Sequence, residues 1–423
     1  MKRRRRLAFG PLMALAITLV SLSTGGTVAL AASQTLVIGV DAATPANHLF
    51  MYTDFFPRSG TSVFAGDVID FKWDPGSPDG FHTATLLKTG DSPDTVWSST
   101  PPVTPDNDDG AGTLEENPAT GAPSDPTCGT VSTPCTFDGS AQLNSGAFPN
   151  APGHDFYVTI NAAVDSTVTF ICLIHPGMLG SLTVTDTTRS TPTTVDAATT
   201  AQHTADTNEA LAAEAAVSVP GPTTNSDGSK TWNEVAGTEG PHEQVLEFFP
   251  ANRNITAGDS VKWVSKAHDI HTVTFPFGEA SAADDFHHFM CEAGPPDTPA
   301  STTGPPCTDP TKFESHFTGD PAGGTTLANP TTVATSGVIA AAPLPFPDNY
   351  TFKVAGAGNY TYQCKVHDHM SGTLAAAAVV VPTLPAAGAP ARSQGGSSTL
   401  GGVLALGFLG LLGFGAWRRR PAR

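Results

Sequence analysis

The sequence predicts an all-β protein built as a duplication, and three observations carry that reading. The 423-residue chain holds 42 glycines and 37 prolines and is only 14% charged, which suits short strands and long loops better than helices. Runs of alternating polarity recur along it, among them Thr167-Val168-Thr169-Phe170-Ile171 and Asn359-Tyr360-Thr361-Tyr362-Gln363. The two halves also share landmarks. Phe55-Phe56-Pro57 returns as Phe248-Phe249-Pro250, and Ala65-Gly66-Asp67 returns 192 positions later as Ala257-Gly258-Asp259.

Taken in order, the chain begins with Met1-Lys2-Arg3-Arg4-Arg5-Arg6, an apolar run from Leu7 to about Leu22, and Ala29-Leu30-Ala31. A basic head, an apolar stretch and a small-residue cleavage site predict a signal peptide over 1–31. The first domain is expected over 33–187. Its Gly-Asp turn leads into Val68-Ile69-Asp70-Phe71-Lys72-Trp73, and an insertion rich in Pro, Gly, Asp and Thr occupies roughly 88–150. A linker over 188–231 is mostly Thr, Ala, Ser and Pro. One short capped helix within it, near 206–216, and a semi-flexible spacer are expected.

The second domain, 232–382, repeats the plan, with its own insertion over 277–345. Beyond it, 383–399 reads as a Pro, Gly and Ser stalk, in which Leu384-Pro385-Ala386-Ala387-Gly388 resembles a sortase signal. Leu400 to Trp417 is an 18-residue run without charge, followed by Arg418-Arg419-Arg420. It predicts a transmembrane anchor over 400–417 with a basic cytoplasmic tail, 418–423, so that both domains face the outside of the cell membrane or the cell wall.

Each domain carries one copy of C-x2-H-x2-M: Cys172-Leu173-Ile174-His175-Pro176-Gly177-Met178 and Cys364-Lys365-Val366-His367-Asp368-His369-Met370. Random order of 6 Cys, 13 His and 6 Met would give about 0.003 copies. A glycine and a β-prone run follow each copy, which places the motif on a strand–loop–strand connection. Upstream stand Phe81-His82-Thr83-Ala84-Thr85-Leu86 and Ile270-His271-Thr272-Val273-Thr274-Phe275. A thiolate, two imidazoles and a distant thioether form the preferred set for a copper ion that alternates between Cu(I) and Cu(II). The expected ligands are His82, Cys172, His175 and axial Met178, then His271, Cys364, His367 and axial Met370, giving two type 1 copper sites. The His-Thr-Val-Thr register selects His271 over His268. His369 is expected to face solvent, and His287, His288 and His316 to be exposed in the insertion.

These motifs resemble the cupredoxins, the plastocyanin and amicyanin family of blue copper proteins, present twice, and the short C-x2-H-x2-M loop is closer to amicyanin. The resemblance implies two tandem Greek-key β-sandwich domains with the ligands at one end, changing little between redox states. Many members carry Asn after the upstream histidine, bonded across to the cysteine loop. Thr83 and Thr272 stand there in this chain, and their hydroxyls are expected to do the same.

Four cysteines remain beside the two ligands, one nearby pair in each half, so disulfides Cys128–Cys135 and Cys291–Cys307 are expected in an exported protein. The net charge of −18 argues against nucleic acid and toward a redox partner protein with a cationic docking face. Multicopper oxidases and copper nitrite reductases place a histidine directly before the copper cysteine, where Ile171 and Gln363 stand in this chain. The expected function is single-electron transfer by a surface-anchored carrier that is not an enzyme. Extracellular copper capture or buffering is the alternative, and a copper oxidoreductase a more distant one. The apolar rim Leu173, Ile174, Pro176 and Leu179 suggests that the first site meets the partner. Lys365, Asp368 and His369 suggest a second site of different potential or partner.

Overall fold

A computed structural model describes residues 32–379 apart from 75, 78–81, 102, 106–112, 148–154, 278–289, 292–312, 315, 319–320, 322–323, 343 and 368. The expected signal peptide, stalk, anchor and tail, together with Cys307, His287, His288, Asp368 and the His316 side chain, lie outside the described residues. Among the described residues no helix is long and apolar enough to cross a membrane.

The first half is mostly β and folds as two five-stranded sheets. One runs Phe55–Phe56, Thr35–Val40, Val68–Trp73, Phe156–Ile160, Cys135–Phe137. The other runs Leu143–Asn144, Thr85–Leu86, Thr167–Ile171, Leu179–Val184, Thr61–Val63. The chain changes sheets between successive strands, so neighbours are mostly distant in sequence. Period-two polarity decides which face is inside: in Thr35–Val40 the residues Leu36, Ile38 and Val40 are fully buried, while Thr35 and Val37 face out. Phe55, Phe71 and Phe170 meet edge to face in the core, each burying enough apolar surface to contribute about 2–3 kcal/mol. The Cys128–Cys135 disulfide is formed.

The second half repeats the sandwich. Glu243–Phe249, Lys230–Glu239, Ser260–Ser265, Asn349–Val354 and Thr326–Leu327 make one sheet. Asn252–Thr256, Ser371–Ala377, Gly358–Gln363, Thr274–Phe275 and Ala334–Thr335 make the other. Trp263, Phe275, Phe352 and Tyr362 form its aromatic core. The glycine after each motif lies against an aromatic ring of the preceding strand. A Cβ on Gly180 would fall 2.2 Å from Phe170, and one on Gly372 2.3 Å from Tyr362.

The segment between the halves differs from the expected spacer. A 24-residue helix, Pro192–Ala215, begins at a capping box in which the Thr191 side chain accepts from the Thr194 backbone N–H, with proline in the first turn. It packs on both halves. Ala210 is buried with Phe50, Tyr52 and Phe56 of the first half and Val245 of the second, and the Tyr52 hydroxyl lies 2.8 Å from that of Thr207. The Thr- and Ala-rich sequence shows no apolar stripe because small side chains, not large ones, bring this helix close. A second tie is made by backbone pairing: Phe50–Tyr52 leaves the first half and pairs antiparallel with Glu243–Phe249 of the second. The insertions meet as well, His316–Thr318 pairing with Thr113–Glu116.

Beneath the helix, Arg58 binds Asp54 at 2.9 Å and Asp206 at 2.8 Å and touches His242, with Glu243 fully buried beside them. One arginine faces several carboxylates. Burial pushes Asp54 up to about 8, against the opposing pull of Arg58 and with the push of Asp206. Burial likewise raises Glu243 to about 7. Both acids therefore bind protons more tightly when folded than when unfolded, so their contribution is full below pH 4 and is lost as the pH rises toward 8. The melting temperature is expected to fall between pH 5 and pH 8, and Asp54→Asn to flatten that slope in scanning calorimetry.

Candidate metal centres

Each centre is assembled from two connections at one end of a sandwich. In the first half, Cys172 ends the strand Thr167–Ile171, and the loop closes on itself: Cys172 N–H donates to Met178 O and Met178 N–H to His175 O, both at 3.0 Å. His82 comes from the other side, just before Thr85–Leu86. The Cys172 Sγ lies 3.6 Å from His175 Nδ1, and the two histidine Nδ1 atoms are 3.0 Å apart. The second half gives the same figures within 0.1 Å: Cys364 Sγ to His367 Nδ1 3.6 Å, His367 Nδ1 to His271 Nδ1 3.1 Å. In each set the three donor atoms lie within 4.8 Å of one another. Met178 and Met370 are buried beside them. His268 stays apart, half-exposed and paired with Glu239 at 2.5 Å, and His369 faces solvent.

The threonine after each upstream histidine makes the crosslink expected of it. Thr83 N–H points at Cys172 Sγ (3.3 Å) while its hydroxyl accepts from Leu173 N–H (2.8 Å). Thr272 repeats both contacts, at 3.4 Å to Cys364 Sγ and 2.8 Å from Lys365 N–H. The ends of the insertions supply a second support. Ser145 and Ser336 hydroxyls each accept a backbone N–H, from Ala84 and Val273, at 2.8 Å. These fix the histidine-bearing strands from behind. The repeated Ser-Gly pair, Ser145-Gly146 and Ser336-Gly337, was the sequence signal for them.

Burial alone would raise both thiols. Hydrogen bonds from the two imidazoles and their charge outweigh it, and hold Cys172 and Cys364 well below the usual thiol range. Burial opposes protonation of His82 too, but Asp41 and Cys172 beside it raise it to about 10. A deprotonated sulfur facing two ring nitrogens in a dry pocket is the donor set that copper takes, so the residues fit the metal.

Other features were not legible as part of the site. Trp97, from the helix Pro93–Ser99 of the first insertion, donates its indole N–H to Cys172 O at 2.8 Å. With Val96 and Leu87 it covers Ile171 and Leu173. Leu173 is therefore buried and no part of the rim; Ile174, His175, Pro176, Gly177 and Leu179 form it. Lys365 is likewise 9% exposed and not a surface charge. A third grouping, His48 with Glu214 and Glu247, lies at the junction of the halves, where His48 Nδ1 and Glu214 pair at 2.7 Å.

No family model and no curated protein matches the chain. Solved structures do. The oxidised plastocyanin of Dryopteris crassirhizoma is 18% identical over 34% of this chain and 98% of its own, with a TM-score of 0.18. Two sandwiches, each holding a Cys-His-His set with a buried methionine, carry the likeness. The chain is cupredoxin-like, twice over. Two further matches span both cupredoxin-like halves. A copper-containing nitrite reductase from Thermus scotoductus is 13% identical over 81% of this chain and 68% of its own, at a TM-score of 0.18. A blue copper oxidase from Nitrosomonas europaea is 10% identical over 82% and 86%, at 0.17. Both are enzymes by name, and the expectation of a carrier without enzymatic activity is withdrawn. Ile171 and Gln363 before the cysteines speak against one way of wiring a blue site to a second copper, not against turnover. At such TM-scores the matches carry no argument about substrate or reaction.

Gly237 shows how tightly the second centre is built. It adopts φ +68°, and a Cβ there would fall 2.1 Å from His271 Nε2. Gly237→Ala is expected to displace that ring and destabilise the metal-free protein by about 1–3 kcal/mol. In atomic absorption, the copper count should drop by one per chain.

Proposed function

We propose that the chain is a two-site type 1 copper protein that transfers single electrons. The observation that supports this most is the convergence, twice, of a deprotonated cysteine and two histidine Nδ1 atoms in a buried pocket backed by methionine. His82, Cys172, His175 and Met178 are the proposed ligands of the first copper, and His271, Cys364, His367 and Met370 those of the second. Copper bound there would take up and release one electron as Cu(II) and Cu(I). The chain's part is to hold the donors still: Thr83 and Thr272 tie the histidine strand to the cysteine loop, and the loop backbone closes between Cys and Met. A fixed pocket keeps the energetic cost of changing the charge low.

The rest of the proposal comes from sequence. The domains occupy 33–187 and 232–382, and the chain is exported and held by 400–417 at the outer face of the membrane, or transferred to the wall. Its excess of acidic residues, −18 overall, steers a cationic face of a redox partner toward it, with rates that fall as salt rises. The partly exposed His175, rimmed by Ile174, Pro176 and Leu179, is the proposed point of approach.

The test is copper counting with optical and EPR spectra on the Cu(II)-loaded chain. Two coppers, an intense thiolate-to-copper band and narrow hyperfine splitting are expected. Cys172→Ser and Cys364→Ser should each remove one copper and about half of the band. Two coppers without the band would favour capture or buffering and overturn electron transfer.

A further inference from the structure

The two centres are alike in their donors and unlike in what stands behind them. Strand register aligns the halves. Thr35–Val40 runs parallel to Val68–Trp73 with Val40 opposite Trp73, and Lys230–Glu239 runs parallel to Ser260–Ser265 with Ala236 opposite Ser265. Val68 and Ser260 each follow the repeated Ala-Gly-Asp turn, so Asp41 and Gly237 occupy one equivalent position. Both have left-handed backbone, φ 60° and 68°. Both sit behind the upstream histidine. In the first centre the position brings a carboxylate, with Asp41 Oδ2 3.4 Å from His82 Nε2. In the second it brings none; neither His82 Nε2 nor His271 Nε2 has a hydrogen-bond partner among the described residues, so the difference is the nearby charge.

The second centre has its carboxylate on the other ring. Asp269 Oδ2 lies 3.1 Å from Nε2 of His367, in the cysteine loop, and among the described residues the other carboxylate oxygen accepts the Ile270 N–H, at 2.7 Å. His367 is 4% exposed with this cap in place, whereas His175, its counterpart, is partly exposed and no carboxylate pairs with its Nε2 among the described residues. The two carboxylates also differ in how much charge they have left to offer. Asp41 is occupied by Ala42 N–H, Tyr52 N–H and the Ser77 hydroxyl. Asp269 has one backbone donor among the described residues, the Ile270 N–H, and turns its other oxygen to His367.

We propose that Asp269 sets the redox preference of the second centre through its charge on His367: it caps the outward edge of that ring and favours the oxidised centre, leaving His175 as the edge open to a partner. The inference rests on the copper reading above. A carboxylate bonded to a ligating imidazole strengthens it as a donor and opposes the added negative charge of reduction. Reduction at this centre is Cu(II) plus one electron giving Cu(I), the electron coming from a one-electron inorganic donor in the test below.

The full chain carrying Cys172→Ser, loaded with copper only at the second centre, gives a redox titration of that centre alone. Asp269→Asn in this background is expected to move the reduction equilibrium toward Cu(I) about tenfold, equal to ~59 mV for one electron. Asp269→Ser should do the same and, by opening the edge, also speed reduction by ferrocyanide at least tenfold. In the Cys364→Ser background, which reports the first centre, Asp269→Asn should change the equilibrium less than threefold. An equilibrium moved less than twofold at the second centre, with the thiolate band intact, overturns the proposal. Loss of the band from both variants overturns it as well, because Asp269 would then be needed to hold the ring and not to set its electrostatics. Failure of the copper reading itself would be seen earlier, as a parent chain that takes up copper without the band.

Discussion

Removing a thiolate from water costs several kilocalories per mole unless nearby dipoles and positive charge replace the lost solvation. The groups around the two sulfurs serve that replacement. The sulfur of Cys172 faces the N–H of Thr83 and two imidazoles, and the sulfur of Cys364 faces the equivalent set. Those groups belong to chain segments about ninety residues apart, so only a sandwich that locks both into one frame can keep them converged. The paired sheets, the aromatic cores beneath and the threonine crosslinks above are the parts of that frame. The insertion helix adds to it in the first half, where Trp97 satisfies the carbonyl of the cysteine itself.

Residues that act through their own chemistry and recur at fixed spacing were legible in the sequence. Cys172, His175 and Met178 share one loop, and the repeated His-Thr-x-Thr picked His82 and His271 out of thirteen histidines. Alternation gave the core strands, and proximity gave the Cys128–Cys135 pair. Residues that act by place alone were silent. Asp41 and Asp269 lie in unlike loops with no shared pattern, and their relation appears only when strand register shows that Asp41 matches a glycine. The linker helix was underestimated for a related reason: Ala210 and Asp206 pack by being small or by meeting Arg58, which no hydrophobic stripe records. Leu173 and Lys365 read as surface because nothing local shows that an insertion or a neighbouring loop will cover them.

Duplication with divergence is visible at the level of single atoms. The distances among sulfur and nitrogen agree within 0.1 Å between the halves, while the groups one step farther out have been rearranged. The inner set is constrained by what the donors must meet, whereas the outer set is free to change how each meeting place behaves. Two copies of one pocket thereby become two different pockets without any change in ligand.

The strand Phe50–Tyr52 gives this duplication a physical asymmetry. It belongs by sequence to the first half and by hydrogen bonding to the second, whose Glu243–Phe249 it covers. Cutting the chain in the linker would strip that cover and leave a row of unpaired backbone donors and acceptors open to any extended peptide. A second half produced alone would then tend to recruit a strand from another molecule and oligomerise, while the first half would carry a loose apolar ribbon. The halves resemble two complete proteins in series, yet each is finished only by the other.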